Sequence, residues 1–274
     1  MVADPLYAFD ADTAVSAAGP GRYAAEVTRR WDIGVVPNGG YVLAIALAGI
    51  RASLAHPHPL TVSAHYLGPS AAGPIDVEVD VLKQGRSLST ASARLVQGRR
   101  VTLAVLASYG DLQAQVGPTL VDVAPPELPP PDECPRRDSG LRNPFPVPPA
   151  ITEVVDFRPA PESAAWLRGD GGGPASLSGW IRFHDGRPVD VHALPMLCDA
   201  MPPAVFSAMR TGWVPTLELT AHVRGIPCPG WLRARATTRV LVDGLCEEDC
   251  ELWDADGRLV AMSRQLARVL PASA

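Results

Sequence analysis

Apolar and polar side chains alternate strictly along Ile75-Asp76-Val77-Glu78-Val79-Asp80-Val81, the period of two of a strand with one buried face. Around it the chain reads as a series of strands at Thr61–Leu67, Ile75–Gln84, Ser87–Val96 and Arg100–Tyr109. Lys83-Gln84-Gly85-Arg86 and Gln97-Gly98-Arg99 supply the hairpin turns. A further strand is expected at Arg22–Arg29. Between it and the series, Tyr41 to Ile50 is apolar on every side, so the spacing predicts a helix over Gly40–Leu54 that is buried all round. Asn38 stands where its N-cap belongs.

The pattern then recurs. A strand is expected at Ser176–Phe183 and a helical segment at His192–Met209. Strands follow at Thr216–Arg224, Trp231–Val242, Leu245–Asp254 and Arg258–Val269. Pro202-Pro203 must kink that helix or restart it, because proline has no N–H to donate. Leu60-x-x-x-Ala64-His65-x-x-Gly68 returns as Leu217-x-x-x-Ala221-His222-x-x-Gly225, an offset of 157 residues. The same offset superposes Gly73 on Gly230 and Leu95 on Leu252, and an insertion near Asp254-Ala255-Asp256 then aligns Gly98-Arg99 with Gly257-Arg258. Ten prolines fall in the 29 residues from Val121 to Pro149, a composition that excludes helix and central strand and reads as an extended linker. The chain therefore divides into 1–117, a linker over 118–150, and 151–274. One helix wrapped by an antiparallel sheet, occurring twice, is an α+β architecture.

Composition narrows the function classes. With 24 Lys+Arg against 29 Asp+Glu the net charge is −5, which argues against a nucleic-acid partner. The apolar run Tyr41–Ile50 is about half of what a bilayer span needs, so no membrane span is expected. Residues 1–5 show neither a basic start nor an apolar run. Five cysteines without a CxxC pair or metal-ligand spacing point to a reduced, cytoplasmic protein with no metal.

Several residues carry candidate chemistry. Asp199 sits in the apolar context Pro195-Met196-Leu197-Cys198-Asp199-Ala200-Met201, where a carboxylate costs free energy unless it is hydrogen-bonded or functional. The offset pairs it with Val42, so the two copies differ there. The plain alternative is an exposed helix Asp, or a cap for the segment that starts at Pro202. Gly39 and Gly40 open the first helix, where backbone N–H groups are free and no side chain blocks a ligand. Packing of that helix on the sheet would explain them equally. Arg86 follows a glycine in a hairpin turn and could meet phosphates, or simply be solvated. Cys198 has no histidine beside it. His56-Pro57-His58 and Asp190-Val191-His192 offer too few ligands for a metal. His65 and His222 occupy equivalent repeat positions, as packing residues do. No GxSxG elbow is present, and Gly169-Asp170-Gly171-Gly172-Gly173-Pro174 is a loop with no helix after it.

Pro37-Asn38-Gly39-Gly40-Tyr41, Ala64-His65-Tyr66-Leu67 and Gln84-Gly85-Arg86-Ser87 resemble the first half of the TesB-like acyl-CoA thioesterases (acyl-CoA thioesterase II). Asp156-Phe157-Arg158-Pro159, Leu197-Cys198-Asp199-Ala200 and Ser263-Arg264-Gln265 resemble the second half. The resemblance runs over roughly residues 20–270. It implies a double hotdog, in which two curled sheets each wrap a central helix. It also implies hydrolysis of acyl-CoA to fatty acid and coenzyme A without a cofactor. The family's water-positioning Asp, hydroxyl residue and Gln map to Asp199, Thr216 and Gln265. Alone, Thr216 is an ordinary strand residue and Gln265 an ordinary surface one. The departure is local, at Pro202-Pro203. A hotdog hydratase or dehydratase is the main rival, but the Asp-x-x-x-x-His spacing meets Ala204 instead of a histidine. A non-catalytic acyl-thioester binder is the other. Two fused hotdogs already stand in for a hotdog dimer, and pairing of two such chains into a homodimer is expected. Tyr41, Met196, Met201 and Phe206 are bulky residues that would shorten an acyl tunnel wherever they face it.

Overall fold

The structure, a computed structural model, describes residues 7–136, 149–168 and 172–272. Apart from a separate two-residue ladder, Asp32–Ile33 with Val36–Pro37, the strands of the first half are β1 (Ser16–Gly19), β2 (Arg22–Val27), β3 (His58–Tyr66), β4 (Gly73–Gln84), β5 (Ser89–Gln97) and β6 (Arg100–Gly110). In the second they are β7 (Val155–Pro159), β8 (Ser176–Phe183), β9 (Thr216–Val223), β10 (Leu232–Thr237), β11 (Leu245–Trp253) and β12 (Leu259–Arg268). All join one antiparallel sheet in the order β1-β2-β4-β5-β6-β3-β9-β12-β11-β10-β8-β7. The expected strand Trp231–Val242 is split: β10 ends at Thr237 and a separate two-residue strand, Leu241–Val242, pairs with β11.

The internal repeat becomes a symmetry of the sheet. The halves join through β3 and β9, and there Ser63 lies opposite Thr220, its own equivalent at the 157-residue offset. A pseudo-two-fold axis therefore passes through this residue pair, and the strand order reads alike outward from it. Gly73 and Gly230, superposed by the same offset, have φ of +127° and +128°. Both need a conformation that a side chain disfavours.

The central helices differ between the halves. In the first, α2 (Gly39–Ser53) is a single helix, and the Asn38 side chain caps it by accepting from the Tyr41 N–H at 2.9 Å. Tyr41 to Leu47 are all buried, as an all-apolar helix enclosed by a sheet must be. In the second half, the expected helix over His192–Met209 is instead two single turns, α3 (Leu194–Leu197) and α4 (Val205–Ala208). Pro202 and Pro203 lie between them, and neither can donate the N–H that a continuous helix requires. Asp199 follows α3 in a tight turn, its N–H donating to Met196 O at 3.0 Å.

Two segments tie the halves further. The short helix α1 (Ala8–Asp12) lays Phe9 against Phe183 of the second half, with ring centroids 5.2 Å apart. Arg187 reaches back to Asp10 at 2.8 Å. The described part of the Pro-rich segment is seated on the second half of the sheet. Pro129 O accepts from the Trp180 indole at 2.8 Å, and Pro131 O accepts from Arg158 at 2.8 Å. Residues 137–148 of the expected linker, and 169–171 of the Gly-rich loop, lie outside the described residues.

Candidate active site

Three pieces of chain distant in sequence converge where the start of α2 meets the turn after α3. Asp199 Oδ2 accepts from the Gly40 N–H at 2.6 Å and from Asn38 Nδ2 at 3.0 Å, and the Asn38 amide also donates to Asp199 O at 2.9 Å. A carboxylate at a helix N-terminus receives N–H groups that have no intrahelical acceptor, with a favourable dipole. The close approach depends on the glycines. A Cβ on Gly40 would stand 2.7 Å from Met196 O and 3.0 Å from Asp199 Cβ; one on Gly39 would stand 3.0 Å from Asp199 Oδ2 and from the Tyr66 ring.

On its other side Asp199 meets the sheet. Thr216, at the start of β9, donates to Gln265 Oε1 on β12 at 2.6 Å, and its hydroxyl lies 3.5 Å from Asp199 Oδ1. The bulge between Thr216 and Glu218 in the β9–β12 ladder turns Thr216 inward. Gln265 is buried, and its amide nitrogen donates to Glu248 Oε1 at 2.7 Å. The other Glu248 oxygen accepts the Ala204 N–H. Burial pushes the Asp199 carboxyl up to about 6, against the pull of the Gly40, Asn38 and Thr216 donors. Burial likewise pushes Glu248 up to about 7, against the Ala204 and Gln265 donors, with the Asp199 charge adding to the rise.

These groups border a cavity of about 930 Å³. Asn38, Gly39 and Tyr66 line it from the first half, and Asp199, Thr216 and Gln265 from the second. Trp166, Phe206, Trp213 and Leu67 contribute apolar wall, the mixture of many apolar and few polar groups that small-molecule sites show. Of the expected tunnel residues, Met201 and Phe206 line the cavity. Tyr41 and Met196 are fully buried in the core instead.

The structure thus brings Asp199, Thr216, Gln265, Gly39 and Gly40 together. It does not bring Arg86 to them. Arg86 is exposed in the β4–β5 hairpin, and its carbonyl lies 3.3 Å from His56 Nε2, just past the far end of α2. That helix is 15 residues long, about 22 Å from end to end. Gly40 also differs from its expected role, since its N–H is spent on Asp199; Gly39 is the glycine that faces the cavity.

Three participants escaped the sequence reading. Asn38 is more than a cap, its two side-chain atoms serving α2 and Asp199 at once. Glu248 was hidden in the acidic run Glu247-Glu248-Asp249, yet it shares the inward parity of Cys246, Cys250 and Leu252. Tyr66 shares the inward parity of Val62 and Ala64. Its buried hydroxyl has no hydrogen-bond partner among the described residues, and burial with the nearby Asp199 and Glu218 charges holds its pKa well above that of a free phenol.

Comparison with known proteins identifies the family. The acyl-CoA thioesterase N-terminal domain family matches residues 27–110, and the acyl-CoA thioesterase C-terminal domain family matches residues 125–269. A Thermobifida fusca protein assigned to thioesterase II superposes with a TM-score of 0.88 at 35% identity, over 97% of this chain and 98% of that one. A hotdog-fold protein from Alicyclobacillus acidocaldarius superposes with a TM-score of 0.84 at 23% identity, over 97% and 99% of the two chains. The acyl-CoA thioesterase II TesB2 of Mycobacterium marinum gives 0.73 at 21% identity, over 97% and 99%. The last two bear on the fold alone. With both of its halves matched, each by the family's corresponding domain, the chain belongs to the acyl-CoA thioesterase family, thioester hydrolases built here as a double hotdog.

Proposed function

We propose that the chain hydrolyses acyl-CoA with a water held between Asp199, Thr216 and Gln265, and that no covalent enzyme intermediate forms. The observation that carries this reading is the contact chain Asp199–Thr216–Gln265 on the wall of a cavity lined by both halves. Asp199 takes a proton from the water, and the oxygen attacks the thioester carbonyl. A carboxylate whose pKa is about 6 is mostly ionised at neutral pH, yet basic enough to accept that proton. The Gly39 N–H at the helix start and the Tyr66 hydroxyl are the donors offered to the developing oxyanion. Collapse expels the coenzyme A thiolate, which recovers the proton from Asp199. The products are the carboxylic acid and free coenzyme A.

No histidine is among the hydrogen-bond partners of Asp199, which are Asn38, Gly40 and Thr216. The Ala204 position, where a hydratase-type histidine would stand, gives its N–H to Glu248. The test is thiol release from a panel of acyl-CoAs by the wild type and by Asp199→Asn. The variant is expected to lose about 10²–10⁴ in kcat with KM little changed. A folded Asp199→Asn protein with wild-type kcat sinks the assignment. Loss of enoyl-CoA absorbance without thiol release supports the hydratase instead.

The compartment and assembly belong to the same proposal. All five cysteines are free of disulfides, in keeping with a reducing cytoplasm. No helix among the described residues is long and apolar enough to cross a membrane. Leu106, Met262 and Leu266 are exposed on the outer face of the central strands, where a second chain would pack to form a homodimer. Sedimentation of the purified protein tests that.

A further inference from the structure

Glu248 is a carboxylate on the inner side of β11, 6% exposed, flanked on that face by Cys246, Cys250 and Leu252. Burying it costs free energy that packing alone does not return, and it is held by two donors. One is Gln265 Nε2 at 2.7 Å. The other is the Ala204 N–H, which in a continuous helix would have donated to Ala200 O. The break at Pro202-Pro203 releases it, so the interruption of the second helix and the buried acid on the sheet form one device.

We propose that Glu248 is a positioning residue for hydrolysis: by accepting from Gln265 and from Ala204, it sets the orientation of the Gln265 amide and ties the Asp199 turn to β12. The inference rests on the reading of Asp199, Thr216 and Gln265 given above. Both Glu248 oxygens are used as acceptors, Oε2 by the Ala204 N–H and Oε1 by Gln265, so the nitrogen end of the Gln265 amide faces it. Oε1 must then turn toward Thr216, as it does at 2.6 Å. Of the two Thr216 hydroxyl contacts, 2.6 Å to Gln265 Oε1 and 3.5 Å to Asp199 Oδ1, the shorter takes the single proton, and the Thr216 oxygen is left to accept from water. The second Gln265 N–H is left to donate. A water at this point gives one proton to Asp199 and one to Thr216, receives the Gln265 N–H, and keeps a lone pair for the carbonyl carbon. With the amide reversed, Gln265 Oε1 would face a Glu248 oxygen acceptor to acceptor, and the Thr216 proton would be turned from Gln265 toward Asp199 or the water. A glutamine at position 248 has the same shape but puts an NH2 in place of one of the two accepting oxygens, so one of the two donors meets an N–H.

The experiment is a double-mutant cycle on thiol release, using Glu248→Gln, Gln265→Ala and the pair, with melting temperatures measured alongside. Glu248→Gln is expected to stay folded and to lose about tenfold or more in kcat, with KM within about twofold. On the Gln265→Ala background the same change is expected to cost nothing further in kcat. Wild-type kcat in Glu248→Gln overturns the inference. So does a full multiplicative loss in the pair, which would mean that Glu248 acts only through the fold. If Glu248→Gln does not fold, the cycle is run with Glu248→Asp, which keeps the charge but shortens its reach, and the same outcomes decide. Wild-type kcat in Gln265→Ala would instead remove the Asp199–Thr216–Gln265 reading itself, so the two failures are distinguishable.

Discussion

Asp199 is the residue on which activity and stability pull in opposite directions. Its carboxyl is raised to about 6 in the folded chain from roughly 3.9 when unfolded. The folded state therefore holds its proton more tightly than the unfolded one. The stability this contributes is complete below about pH 4 and is lost as the pH rises through about 6. Activity has the opposite sign, because the base must be ionised: kcat/KM should climb to a plateau with an apparent pKa near 6. Asp199→Asn keeps an oxygen for the Asn38 and Gly40 donors and removes the buried charge. It should melt higher than wild type above pH 7, by up to about 3 kcal/mol, and the gain should vanish near pH 4. Melting curves for both proteins across that range check this, and a variant less stable than wild type at pH 8 contradicts it. Tyr66 gives a cleaner separation. Its hydroxyl is buried without a partner among the described residues, so Tyr66→Phe removes an unsatisfied group and should not weaken the fold. If that hydroxyl serves the oxyanion, kcat should still fall by about 10². A Tyr66→Phe enzyme of unchanged kcat would leave the oxyanion to Gly39 alone. Asp199 drew attention in the sequence because a carboxylate in an apolar run is costly. Tyr66 and Glu248 did not, because an aromatic in a strand and an acid in an acidic run are both ordinary until their faces are known.

At the level of elements, the start of α2 and the break after α3 together make the site. The Gly39-Gly40 pair was readable as a helix start, but not as a contact with the other half. That contact is tight enough that Gly40→Ala must move either the Met196 backbone, 2.7 Å from the new Cβ, or Asp199. We expect a loss of about 1–3 kcal/mol, the usual penalty of overpacking, together with most of the thiol-release activity. A Gly40→Ala protein with wild-type melting and turnover would show that the two elements are not pressed together. The prolines at 202 and 203 forewarned of a kink, and local chemistry was enough for that. What it left open was the fate of the freed Ala204 N–H, which goes to a side chain 44 residues away. The Pro-rich segment shows the same division. Its lack of helix and strand follows from proline, whereas its seat against Trp180 and Arg158 depends on which sheet face is there to receive it.

Over the whole molecule, the β3–β9 ladder makes one sheet of two halves, and the site straddles it. Asp199 comes from one half and its N–H donors from the other, while Arg187–Asp10 and Phe9–Phe183 lock the ends. Heating should therefore give a single calorimetric transition, and two resolved transitions would mean that the halves unfold independently. The sequence by itself determined most of the strands, though not the edge strands β1 and β7, together with the cap on α2, the turn glycines and the repeat, because each rests on periodicity or backbone chemistry within a few residues. The 157-residue offset relates Ser63 to Thr220, but it is the strand register that makes them the pair on which the symmetry turns. Only the tertiary structure decided that Asn38 and Gly40 reach Asp199, that Glu248 holds Gln265, that the Tyr66 hydroxyl has no partner among the described residues, and that Arg86 lies past the far end of α2. Those are outcomes of how faces meet across the sheet, and a hydrogen bond between residues some 160 positions apart leaves no trace in local periodicity.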